Sequence, residues 1–166
     1  MANNDEIWAA IFGGVVGAAL AAPKPEDKQD LEIYRRQKQE ILLRQQKIGK
    51  LPDALGLFNK AEYYNTFIEA YKMHLHGFFR GSIIVSTAVI ESLLKDKYGD
   101  KKFYELIEKA NSDKIIGLMD YHLLHGLRSE RNDSTHNILR EIREEDSQLV
   151  LQIVIRLINT IIQHKP

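Results

Sequence analysis

Arg131 and His136 stand five residues apart in the string Leu127-Arg128-Ser129-Glu130-Arg131-Asn132-Asp133-Ser134-Thr135-His136-Asn137, and together they suit one kind of work. A guanidinium grips phosphate oxygens as a permanent fork, while an imidazole takes or gives protons near neutral pH. Cutting RNA internally without a metal needs a proton removed from the attacking 2′-hydroxyl, extra charge stabilised on the phosphoryl oxygens, and a proton delivered to the departing 5′-oxygen. One histidine does not easily act as base and acid in a single step. Two copies meeting across a twofold interface would share those roles.

The spacing imposes a condition. On an unbroken helix, five residues give about 500° of rotation, and the two side chains diverge by about 140°. Asn132, Asp133, Ser134 and Thr135 all compete with helical hydrogen bonding through their own side chains. Four in succession predict that the helix stops near Asn132 and that the turn folds His136 back beside Arg131. The simpler alternative is that Arg131 caps a helix end, Asn132 turns the chain and His136 bonds a backbone carbonyl.

The elements around this string are helical. Glu26 to Lys47 lacks glycine and proline, with Leu31, Tyr34, Ile41, Leu42 and Ile48 spaced for one face of a long helix. Its small excess of basic residues reads as a solvated surface, with nucleic-acid contact as the lesser alternative. Gly49, Pro52 and Gly56 then punctuate the chain. Ala61–His76 and Phe78–Tyr98 predict two further helices, the second buried and closed by Gly99. Phe103–Ala110 predicts a short one, and Ser112 or Asp113 is expected to cap a longer one through Ile115, Ile116, Leu118, Met119, Leu123 and Leu124. The last follows Glu144, Glu145 and Asp146, which complement the positive end of its dipole, and carries Leu149, Val150, Ile153, Val154, Leu157, Ile158, Ile161 and Ile162. No stretch alternates with period two for long enough to form a sheet. The expected fold is all-α, with residues 1–23 an apolar segment, 24–50 a long amphipathic helix and 51–166 a helical domain.

Residues 7–22 carry no charge, yet a membrane span needs about 20 residues. Asp5 and Glu6 precede the run where a secretory signal would place Lys or Arg. A cytoplasmic protein is expected. Gly13, Gly14, Gly17 and Ala18 give this segment a smooth stripe, suited to docking on its own domain, to self-association or to membrane contact.

Composition excludes several chemistries. Equal numbers of acidic and basic residues, 23 each, argue against one large basic field for coating nucleic acid. The absence of cysteine removes disulfides, thiolate nucleophiles and sulfur-ligated zinc. No nucleotide-binding loop, HExxH, dinucleotide turn or GxSxG elbow is present. His122 and His125 are three apart, but such a pair without a partnered carboxylate is usually surface or interface material. No metal and no cofactor are expected.

Arg131-Asn132-Asp133-Ser134-Thr135-His136 follows an apolar helix containing Leu123, Leu124 and Leu127. Upstream runs Phe79-Arg80-Gly81-Ser82-Ile83-Ile84-Val85-Ser86-Thr87-Ala88-Val89-Ile90-Glu91-Ser92-Leu93-Leu94-Lys95, with small residues and an apolar-Glu-x-x-Leu step. Together they resemble the HEPN superfamily of small helical domains over roughly residues 60–164. The resemblance implies a HEPN-like bundle acting as a metal-independent endoribonuclease across a homodimer, in toxins or anti-phage defence. Arg131 would bind the scissile phosphate, Asn132 orient it and His136 transfer protons, with Arg128 and Glu91 contributing to substrate binding. Implied partners are RNA, a second copy and an antitoxin or defence partner. One branch of that family has, two residues after the histidine, a tyrosine that its antitoxin modifies; this chain has Ile138 there. The alternative is a non-catalytic helical interaction module that self-associates or contacts a membrane through its N-terminal segment.

Overall fold

The structure, a computed structural model, describes residues 28–49, 51 and 61–163. Among them are six helices and no strand: α1 Lys28–Ile48, α2 Ala61–Leu75, α3 Phe79–Tyr98, α4 Phe103–Ser112, α5 Leu118–His136 and α6 Glu144–Gln163. The all-α expectation holds. The apolar N-terminal segment lies outside the described residues, and among the described residues no helix is long and apolar enough to cross a membrane. The chain divides into two compact units, Met1–Leu43 and Arg44–Pro166. That division falls inside α1, whereas the sequence places a boundary at residues 50 and 51.

α3 is the centre of the second unit and packs against α2, α4, α5 and α6. Its buried face mixes Ile83, Val89, Ile90 and Leu94 with Ser82, Ser86 and Thr87, so small side chains let neighbouring helices approach while the branched ones fill the core. Ser86 Oγ donates to the Ser82 carbonyl at 2.6 Å, which keeps a buried hydroxyl satisfied inside the helix. Phe67, Tyr71 and Leu75 of α2, Leu106 and Ile107 of α4, Leu124 and Leu127 of α5, and Leu151, Val154 and Leu157 of α6 complete the core.

Backbone chemistry sets the turns. At the end of α2, Phe78 N donates to the Met73 carbonyl at 2.8 Å and Gly77 N to the His74 carbonyl at 3.0 Å. This is a Schellman turn, and Gly77 takes the positive φ it requires, 83°. The same turn closes α4, where Ile115 N donates to the Ala110 carbonyl and Lys114 N to that of Asn111, with Lys114 at φ 56°. Gly99 ends α3 at φ 83° and ψ 177°, a region open essentially to glycine alone, and not the left-handed helical region expected from the sequence.

The expected start of α5 needs correction. Ser112 is the last residue of α4 and Asp113 follows it, so neither caps α5, which begins after Gly117. Leu118 and Met119 are exposed because the stripe that meets the core runs through Asp120, Leu124 and Leu127. Leu149 is exposed as well, since the buried stripe of α6 runs through Val150, Leu151, Val154, Leu157, Ile158 and Ile161.

Where α2, α3 and α6 meet, His74 is fully buried, its Nδ1 3.0 Å from Ser147 Oγ and its ring against Phe79. Arg44, at the end of α1, lies over the Phe79 ring, donates to the Leu75 carbonyl at 2.9 Å and pairs with Glu144 at 3.0 Å. Lys47 Nζ reaches the other Glu144 oxygen at 2.6 Å. Burial pushes the His74 imidazole down to about 4; Glu144 opposes that shift, and Arg44 and Lys47 add to it. Lys47 and Arg44 hold the Glu144 carboxyl below its ordinary value.

The unfolded chain therefore takes up a proton at His74 between pH 6.5 and about 4 that the folded chain refuses. Stability is expected to fall by about 3 kcal/mol over that window and to level off below it, at roughly 1.4 kcal/mol per pH unit. Glu144 adds a further loss as pH drops through its own lowered value. Urea unfolding at stepped pH checks this, with His74→Gln flattening the upper part of the profile; a wild-type profile that stays level from pH 7 to 5 contradicts it.

Candidate functional site

α5 does not stop at Asn132. It continues to His136, and Asn137 N still donates to the Asp133 carbonyl at 2.9 Å. The turn expected to fold His136 back beside Arg131 is therefore absent, and the physical reason lies in what holds Asp133, Thr135 and the end of the helix. Thr135 Oγ1 donates to the Arg131 carbonyl at 2.8 Å, so its hydroxyl bonds within the helix instead of breaking it. Ser134 is buried. Arg140 folds back to pair with Glu130 and Asp133, each at 3.2 Å.

The decisive group comes from α3. Arg80 Nη1 donates to the carbonyls of Ser134 and Asn137 at 2.5 and 3.2 Å, and Nη2 to those of Ile138 and Arg140 at 3.3 and 2.5 Å. A helix C-terminus leaves carbonyls without intrahelical partners and carries partial negative charge. One guanidinium satisfies four carbonyls at and beyond this end, and its charge complements the dipole. Arg80 carries no role in the sequence reading. A signal was present: a cation in the first turn of a helix opposes that helix's own dipole, and α3 has no acidic residue there to compensate.

The continuous helix distributes the site residues by rotation. Arg131 lies on the core side of α5, half-buried, with its guanidinium 3.5 Å from Glu91 Oε2. Arg128, Asn132 and His136 recur every fourth residue and form a row that drifts about 40° per step. Thus Glu91 and Arg131 are brought together, Arg128 lies one turn before Arg131, and Arg131 and His136 diverge within one chain. His136 is exposed, with no hydrogen bond or ion pair among the described residues. Arg128 is half-buried, and its Nε, shielded from solvent, has no hydrogen-bond partner there either.

Glu91 serves two cations. Its other oxygen, Oε1, lies 3.3 Å from Lys95 Nζ, which also approaches Asp100 at 3.1 Å. Sequence reasoning missed Lys95, although the Glu91–Lys95 spacing of four marks a pair on one helix face. On the far side of α5, Tyr121 donates to Glu108 at 2.8 Å and His125 Nε2 lies 3.3 Å from the same carboxylate. Among the described residues, no group of three or more histidine or carboxylate side chains is placed to hold a metal ion.

A family model described as a domain of unknown function, DUF4145, matches residues 68–166. The chain belongs to that family. The DUF4145 match starts within α2 and takes in all of α3 to α6, so Arg80, Glu91, Lys95 and every candidate residue of α5 fall inside it, while α1 falls outside. No curated protein and no solved structure matches the chain.

Arg80→Ala is expected to lower stability by about 2 to 3 kcal/mol, the scale of hydrogen bonds to a charged donor. Arg80→Lys is not expected to restore it, because an ammonium cannot reproduce the planar fork. Urea unfolding measures both. A loss below about 0.5 kcal/mol for Arg80→Ala, the scale of an ordinary surface substitution, contradicts the capping role.

Proposed function

We propose that this chain is a HEPN-type, metal-independent endoribonuclease whose site is completed by a second copy. The observation that carries the proposal is the placement of His136: an exposed imidazole without a partner among the described residues, one turn from Asn132 and in the row that begins at Arg128. Guanidinium groups bind and neutralise the phosphate, Asn132 orients it, and the imidazole moves the proton. Because Arg131 and His136 diverge on an unbroken helix, the arginine of one copy works with the histidine of the other, and two histidines divide the roles of base and acid.

The exposed side of α5 suits such pairing. Leu118, His122, His125, Ser129, Asn132 and His136 recur at steps of four and three, the spacing of a helix seam. Beside them is Gly126, exposed, where an added Cβ would meet nothing within 4 Å among the described residues. A mid-helix glycine costs about 1 kcal/mol relative to alanine, and packing among the described residues does not require it, whereas a second helix approaching closely would. Exposed Ile138 and Leu139 follow the end of α5. A toxin or anti-phage setting, with a partner that restrains the enzyme, belongs to the same proposal.

A second function draws on the same surface. Arg131 is paired with Glu91, and the exposed apolar residues at both ends of α5 suit a non-catalytic interaction module. The two separate by experiment. Pure protein incubated with tRNA and total RNA in excess chelator is expected to yield fragments with cyclic-phosphate ends and to sediment as a dimer. Arg131→Ala and His136→Ala are expected to fold and to lose about a hundredfold or more in rate, the scale of general acid–base catalysis. Folded protein that cleaves none of these RNAs contradicts the enzyme and favours the module.

A further inference from the structure

We propose that Lys95 and Arg131, with Arg128 beside them, form a phosphate subsite occupied in the free protein by the Glu91 carboxylate, and that an RNA phosphodiester displaces that carboxylate on binding. This rests on the RNA-cleaving function proposed above and adds to it a binding residue, Lys95, and a competing internal anion.

The geometry around Glu91 carries it. The carboxylate gives one oxygen to each cation, Oε2 to Arg131 at 3.5 Å and Oε1 to Lys95 at 3.3 Å, so it bridges α3 and α5 as a phosphate with two neighbouring oxygens would. Neither contact is a tight one. A guanidinium matched to a carboxylate makes two parallel hydrogen bonds shorter than 3 Å; Arg131 makes one long approach and leaves its remaining donors unused among the described residues. Arg128, one turn away, adds a guanidinium whose Nε has no hydrogen-bond partner there.

Charge and access agree. Two cations, Arg131 and Lys95, meet the Glu91 carboxylate, with Arg128 one turn away on α5; Lys95 also approaches Asp100, which is 92% exposed, where water screens its pull. The Arg131 and Lys95 side chains are 35% and 38% exposed, against 15% for Glu91. An anion arriving from solvent therefore meets the two cations before the carboxylate between them. Phosphate oxygens accept from both, and the released carboxylate needs only to rotate toward water.

The test uses two probes on the full chain. The first is a single-stranded RNA, measured by fluorescence anisotropy across salt concentrations in a His136→Ala background that leaves it uncut. Glu91→Gln is expected to bind several-fold more tightly and with steeper salt dependence, because the internal competitor is gone. Lys95→Ala is expected to bind more weakly, with the slope of log K against log salt shallower by about 0.7, one phosphate contact on a single strand. Lys95→Arg is expected to retain binding. The second probe is inorganic phosphate against chloride at equal ionic strength: phosphate is expected to raise the Tm of the wild type, more so that of Glu91→Gln, and not that of Lys95→Ala.

If Glu91 only ties α3 to α5, Glu91→Gln weakens or leaves unchanged the binding of both probes, and an unaltered slope in Lys95→Ala also overturns the subsite while RNA binding and cleavage stand. Absence of RNA binding in every variant alongside the stated phosphate response overturns the RNA ligand and the proposed function, not the anion site.

Discussion

The contact on which the site depends is the Arg80 guanidinium against the end of α5. It supplies donors to four carbonyls between Ser134 and Arg140, at a place where local side chains favour leaving the helix. Tertiary capping outweighs that preference, and the helix runs on to His136. Rotation does the rest: Arg128, Asn132 and His136 share a row, Arg131 turns toward Glu91, and no bend returns the histidine to the arginine. A single side chain on α3 thereby decides which groups one chain can present together.

The N-terminal end of α3 holds helix ends more generally. Arg44 donates to the last carbonyl of α2 while lying over Phe79, and Arg80, next to Phe79, closes α5. Two cations, one over the Phe79 ring and one next to Phe79 in sequence, thus satisfy two C-termini. Glu144 anchors the first of them to the start of α6, over the buried His74. Charge in this bundle is spent on fixing helix ends, in a chain of zero formal net charge that still sets two cations, Arg131 and Lys95, against Glu91.

Much of this was legible from residue order alone. Period-3.6 spacing and the closing Gly99 delimit α2, α3 and α4 closely, and the all-α class follows. What failed did so for identifiable reasons. Asn132 to Thr135 were judged by local preference, and the residue that overrides it lies more than fifty positions earlier in sequence. Ile115 and Ile116 were read into α5 by apolar type, whereas Gly117 separates them from it. At the site, the divergence of Arg131 and His136 on a straight helix could be calculated beforehand, but whether the helix was straight could not. Glu91 entered through family resemblance; its proximity to Arg131 depends on how α3 packs on α5, which no spacing within either helix encodes. Lys95 was readable as the helical neighbour of Glu91 and went unread.

The central claim is that one unbroken α5 keeps Arg131 and His136 apart within a chain, so that chemistry needs two copies. Mixing purified Arg131→Ala and His136→Ala proteins, after subunit exchange, tests it most directly. Each variant alone is expected to be inactive, whereas their heterodimer keeps one native arginine from one copy and one native histidine from the other, and cleavage is expected to rise above that of either variant while staying below wild type, because one of the two histidines is lost. If the mixture stays as inactive as its components while exchange is demonstrated, the two residues act from the same chain, and the composite site is wrong.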